Sequence, residues 1–158
     1  MNEQVGEQAG EMQSIVVEKA LPYAPERVWH TLTDSALLAR WLMPNDFVAE
    51  VGRCFTFKIR PMGTWDGVVA CEVLVCEPPR LLRYSWKGGS DDNAKYGSRL
   101  DSIVTWTLTA MESGTHLRME HAGFRLPQNR FAFDAMKPGW GSILDTIARI
   151  TAEAGLTG

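Results

Sequence analysis

The chain has 158 residues with ordinary soluble composition, 45% hydrophobic and 22% charged, and carries a formal net charge of −3. That length suits one domain with a sizeable core. The acidic balance, with no basic run, argues against a nucleic-acid partner and against binding to a membrane surface. No apolar run approaches the ~20 residues of a spanning helix.

The first fourteen residues, MNEQVGEQAGEMQS, are polar and lack a charged-then-apolar signal pattern. They read as a disordered leader, and the domain as residues 15–154. SIVVEKAL (14–21) is short and β-branched, a strand. Pro22 and Pro25 end it, and Pro25 suits the first turn of a helix carrying Val28, Trp29 and Leu32. Asp34 is a natural N-cap for a second helix, whose stripe is Leu37, Leu38, Trp41 and Leu42, with Pro44 beyond it.

The period then changes to two. Phe55, Phe57 and Ile59 alternate with Thr56, Lys58 and Arg60, as in a half-buried strand. RPMGTWDG (60–67) is turn chemistry. VVACEVLVCE (68–77) is apolar at most positions, which predicts a strand covered on both faces. Leu82, Tyr84 and Trp86 alternate in the next strand, and GGSDDNAKYGSR (88–99) reads as a long polar connection. Val104, Trp106 and Leu108 mark one face of another strand. After the turn ESGT (112–115), Leu117, Met119 and His121 share a face of the last one. Phe133, Met136, Trp140, Ile143, Leu144 and Ile147 return to helical spacing, with a kink or fresh start expected at Pro138-Gly139. Strands clustered between helices define an α+β domain.

His121 is the sharpest candidate for chemistry, because an imidazole points where apolar residues belong. It is a satisfied structural histidine, a ligand contact, or a general acid or base. Glu72, in an apolar strand, either faces solvent or is a polar fixture of the interior paired with His121 or an arginine. Phe55, Phe57, Tyr84, Trp86, Trp106, Phe133 and Trp140, with Met119 and Met136, read as interior lining, and large rings around a concavity suit ring-bearing ligands. Cys54, Cys71 and Cys76 lack metal-type spacing and read as buried free thiols in a reducing cytoplasm, with a Cys54–Cys71 disulfide left open. His30, His116 and His121 do not cluster, so no zinc site is expected. Ser90-Asp91-Asp92-Asn93 lacks calcium-loop spacing, and neither a phosphate loop nor a G-x-S-x-G elbow occurs. No metal or cofactor is expected.

Several stretches in order, A-P-E-R-V-W at 24–29, L-T-D at 32–34, L-x-x-W at 38–41 and V-G-x-x-F at 51–55, continue with D-G-V-V-x-x-E-V at 66–73 and E-P-P-R-L-L-x-Y-S-W at 77–86. V-T-W-T-L at 104–108, G-T-x-L-x-x-E-H-x-G-F at 114–124 and P-G-W at 138–140 complete the series. Over residues about 15–152 the chain resembles the START-like (SRPBCC) superfamily and, within it, the family named for the activator of heat shock protein 90 ATPase. The resemblance implies a helix-grip fold: a curved antiparallel sheet of six to seven strands wrapped around a long C-terminal helix, with two short helices after the first strand. It also implies an apolar cavity between sheet and long helix. Trp29 is then expected to fill core, Trp41 to border the cavity mouth, and Leu144 to join the lining.

Superfamily members include lipid and hormone carriers, polyketide cyclases, stress proteins and co-chaperones, so fold alone does not choose among functions. The first expectation is a cytoplasmic protein binding an apolar or aromatic small molecule, oriented by His121, Glu72 or Tyr84. The second is an interaction module acting on a chaperone. The eukaryotic co-chaperone carries a further N-terminal domain, which ranks this reading lower. The third is a cyclase- or hydrolase-type enzyme using His121. A sheet edge and the exposed side of the short helices are the surfaces available to a homodimer.

Overall fold

The structure, a computed structural model, describes residues 11–93, 95 and 97–157, with side chains described through Ala154. Residues 1–10 of the expected leader lie outside the described residues. Its last three belong instead to β1 (Met12–Leu21), which begins two residues earlier than the β-branched run suggests. Pairing explains this: Met12 and Gln13 find register partners in Arg125 and Phe124 of the last strand.

Helices α1 (Pro25–Thr33) and α2 (Ser35–Trp41) follow. Asp34 both ends the first and starts the second. Its N–H donates to the His30 carbonyl at 3.0 Å, while its carboxylate accepts from the Leu37 N–H at 3.1 Å. A side chain able to cap a helix start is what the break requires.

Five strands then complete an antiparallel, curved sheet: β2 (Cys54–Lys58), β3 (Val68–Glu77), β4 (Leu81–Gly88), β5 (Leu100–Met111) and β6 (Gly114–Arg125). Their spatial order is β1-β6-β5-β4-β3-β2, so the first strand closes beside the last. Helix α3 (Arg130–Thr157) packs on α1, α2, β1 and β6. This is the α+β helix-grip arrangement.

Two expectations are corrected. Strand β3 is covered on one face only: Val69, Cys71 and Val73 are buried, whereas Ala70, Glu72 and Leu74 are exposed. Apolar residues on its outward positions masked the alternation. Helix α3 runs unbroken through Pro138, because that proline lies on the exposed side, where the carbonyl it leaves unpaired can be hydrated.

The thiols are free, but only Cys71 is buried; Cys54 is exposed and Cys76 intermediate. Cys71 is the register partner of Phe55, one residue along from Cys54. The one-residue offset puts the two sulfurs on opposite faces, and no disulfide forms.

Candidate functional site

His121 sits on β6 with 0% exposure. Its Nδ1 accepts from the Trp140 indole Nε1 of α3 at 3.1 Å. The other ring nitrogen, Nε2, therefore carries the proton and donates to Ser102 Oγ on β5 at 2.9 Å. Ser102 in turn donates to the Trp86 carbonyl on β4 at 2.8 Å. Three consecutive hydrogen bonds thus cross helix and sheet in one direction. Burial holds the imidazole far below its ordinary range, at about 3. Neutral, with both nitrogens engaged, His121 has no lone pair or proton left for a substrate in this geometry. It is a fastening between helix and sheet, and the acid–base reading finds no support in its contacts.

The pairing of His121 with Glu72 is also overturned. Glu72 is exposed on the outer face of β3, where its backbone N–H donates to Ser85 Oγ. Tyr84 is buried, accepts from Trp106 Nε1 at 3.1 Å, and has its hydroxyl pKa pushed up by burial.

Most of the expected lining side chains pack on one another. Phe55 and Phe57 lie 5.4 Å apart, and each stands 5.4 Å from a further ring, Tyr84 and Trp86 respectively. Trp86 and Trp106 both flank Trp140 at 5.9 Å, in edge-to-face geometry. Trp41 meets the expectation of a cavity border least well. It is buried against Trp106 at 5.4 Å, and its indole donates to the Thr31 carbonyl at 2.9 Å. Phe133 packs on Phe124 at 5.3 Å, and Met119 and Leu144 are buried in the core.

Between the sheet and the helices, open space lies where Met43, Trp86 and Met136 meet. Two cavities, of about 20 and about 100 Å³, share Met43, Trp86 and Met136 in their walls. The smaller one has room for roughly one water molecule. It extends past Trp65, Val69 and Leu100 to the connection after β4, while the larger borders Trp140 and Ile143 of α3. Of the expected lining, Trp86, Met136 and Trp140 reach these cavities. Met43 and Trp65 were missed, since the first follows a helix end and the second lies in turn chemistry. Ser102 was missed although its phase shows it: it falls two residues before Val104 on the inward side of β5.

The connection after β4 closes the smaller cavity through close backbone approach. Gly89 has φ +93°, and a Cβ there would stand 2.2 Å from the Ser98 carbonyl oxygen. Asn129 holds the same segment, donating to Ser98 Oγ at 2.9 Å and the Arg99 carbonyl at 2.8 Å. Among the described residues no group of three potential metal ligands occurs, and no helix is long and apolar enough to cross a membrane.

A curved antiparallel sheet gripping one long helix, with two short helices after the first strand, defines a START-like domain. The chain belongs to the family described as activator of Hsp90 ATPase homolog 1-like protein, whose model matches residues 22–152. Among solved structures it is similar to protein MLL2253 from Mesorhizobium loti, at 39% identity and TM-score 0.77, covering 89% of this chain and 98% of that one. CalU16 from Micromonospora echinospora is 27% identical at TM-score 0.67, over 94% of this chain and 87% of that one. The Aha1 dimer from Colwellia psychrerythraea shares the fold at 15% identity and TM-score 0.66, over 86% and 93%. No curated protein matches the chain.

Proposed function

We propose that this protein binds a small apolar or aromatic molecule in the cleft where Met43, Trp86 and Met136 meet. The observation that carries the reading is the location of the open space: both cavities lie at these three residues, between sheet and helices, in an otherwise ring-packed interior. Small-molecule sites commonly span ~300–1,000 Å³, so the cleft receives a ligand by displacing side chains. Methionine suits that role, because its unbranched thioether repacks at low cost. Burial of the ligand's carbon skeleton contributes roughly 25 cal/mol per Å² of apolar area, less ordering costs.

Native mass spectrometry on freshly purified protein, followed by denaturing extraction, tests this. A small molecule released on unfolding is the expected result. The reading fails if nothing co-purifies and a panel of neutral aromatic probes leaves the tryptophan fluorescence unchanged.

A second reading, an interaction module acting on a chaperone or through a second copy, draws on the family description and on the dimer formed by the Colwellia protein. Strand β1 stands at the sheet edge, with Met12 and Val16 exposed. A monomeric mass by light scattering, with no chaperone recovered in a pull-down, counts against it.

A further inference from the structure

We infer that the indole N–H of Trp86 is the polar anchor of the cleft, and that its ligand is an uncharged, ring-bearing molecule with a hydrogen-bond acceptor on its edge. The inference rests on the cleft being a binding site and adds what it selects. Four indoles have acceptors: Trp41 on the Thr31 carbonyl, Trp65 on the Val68 carbonyl, Trp106 on the Tyr84 hydroxyl, and Trp140 on His121. Trp29 borders neither cavity. Trp86 borders both, is only 4% exposed, and among the described residues its Nε1 has no acceptor.

Among those residues no fully covered side-chain nitrogen or oxygen is left without a partner. The unpaired Nε1 therefore keeps contact with open space, and the space around this buried ring is the cleft. The indole is also held in place. Its own carbonyl is taken by Ser102, and its ring is flanked by Phe57 at 5.4 Å, His121 at 5.2 Å and Trp140 at 5.9 Å. A fixed donor in an apolar wall rewards an acceptor at one position and little else.

The rest of the wall sets the charge. Among the described residues neither cavity is lined by a charged side chain, and the Ser98 hydroxyl is engaged by Asn129. An anion or cation would lose its hydration there with no counter-charge. A neutral ketone, ether or heteroaromatic nitrogen on a flat ring system fits both conditions.

Three matched probes test this: indane, 1-indanone and indane-1-carboxylate, titrated calorimetrically into the wild-type protein and Trp86→Phe. In the wild type, 1-indanone is expected to bind about three- to tenfold tighter than indane, the range one net hydrogen bond supplies. The carboxylate is expected to bind more weakly than either. Trp86→Phe should erase the ketone preference, bringing the affinity ratio of 1-indanone to indane down to about one whatever happens to indane affinity itself. Independently of that variant, 1-indanone should shift the Trp86 indole proton resonance of the wild-type protein downfield, and indane should not.

Equal binding of indane and 1-indanone, or a ketone preference that survives Trp86→Phe, overturns the anchor and leaves the binding reading standing. If no probe binds the wild type or Met136→Ala, the cleft is not a site, and both ideas fall together.

Discussion

The Trp140 indole hydrogen-bonds the Nδ1 lone pair of His121 at 3.1 Å, and that bond fixes which imidazole nitrogen carries the proton. It also makes the charged state expensive, since an imidazolium would have to point an N–H at another N–H in a fully buried place.

Stability should therefore depend on pH through this residue. Unfolded, histidine titrates near 6.5; folded, His121 does so at about 3. The unfolded chain binds more protons between those values, so the contribution is fully present above pH 6.5 and is lost as pH falls toward 3. By pH 5 the loss is about 2 kcal/mol. Between pH 7 and pH 5 the unfolding free energy from urea titrations should fall by that much more in the wild type than in His121→Gln, and parallel profiles would remove the assignment.

Met136→Ala should merge the two cavities through their common wall. The expected cost is about 2 kcal/mol, the lower end of buried-methionine truncations because the residue is only half-buried. The same variant should bind 1-indanone more tightly, since the side chain no longer has to be displaced. Denaturant unfolding and calorimetry give the two readings, and lost stability without gained affinity would separate packing from access.

Helices α1 and α3 are joined by a buried hydroxyl pair. Thr31 Oγ1 and Thr151 Oγ1 share a hydrogen bond at 2.8 Å, and each hydroxyl also has a carbonyl of its own helix in reach, Arg27 at 3.3 Å and Ile147 at 2.7 Å. Thr31→Val and Thr151→Val should each cost about 1 kcal/mol, and the double variant clearly less than their sum. Strict additivity in thermal unfolding would show that the pair is not coupled.

Thiol labelling should separate the cysteines by exposure. Cys54 is open to solvent, Cys76 is half-buried with a raised pKa, and burial pushes the Cys71 thiol far up. Iodoacetamide at neutral pH should modify Cys54 first, and Cys71 only after unfolding. Peptide mass spectrometry reads the order directly, and early labelling of Cys71 would mean that the β2–β3 face opens readily.

Alternation and capping made the architecture readable. The inward phases of β5 and β6 and the Asp34 break carry their own local chemistry, so they survive without tertiary context. Strand β3 did not, because Ala70 and Leu74 put apolar side chains on an exposed face, where no local rule marks them. The candidate site was legible only in part. Trp86, Met136 and Trp140 follow from period and phase, whereas Met43 and Trp65 arrive from irregular segments whose direction the chain's neighbours decide. His121 illustrates the other limit. Its burial was predictable from Leu117 and Met119, but its fastening role depends on Ser102 and Trp140, each nineteen residues away.

Pro138 separates two mechanical tasks along α3. It has no amide hydrogen to return to Asp134, so the ladder lacks one rung just before the turn that carries Trp140. Beyond that gap the helix is bolted to the sheet through His121. Ahead of it, about two turns carry Met136 at the cleft. The missing rung and Met136 thus share the leading end of α3, and the contact with His121 lies just beyond them.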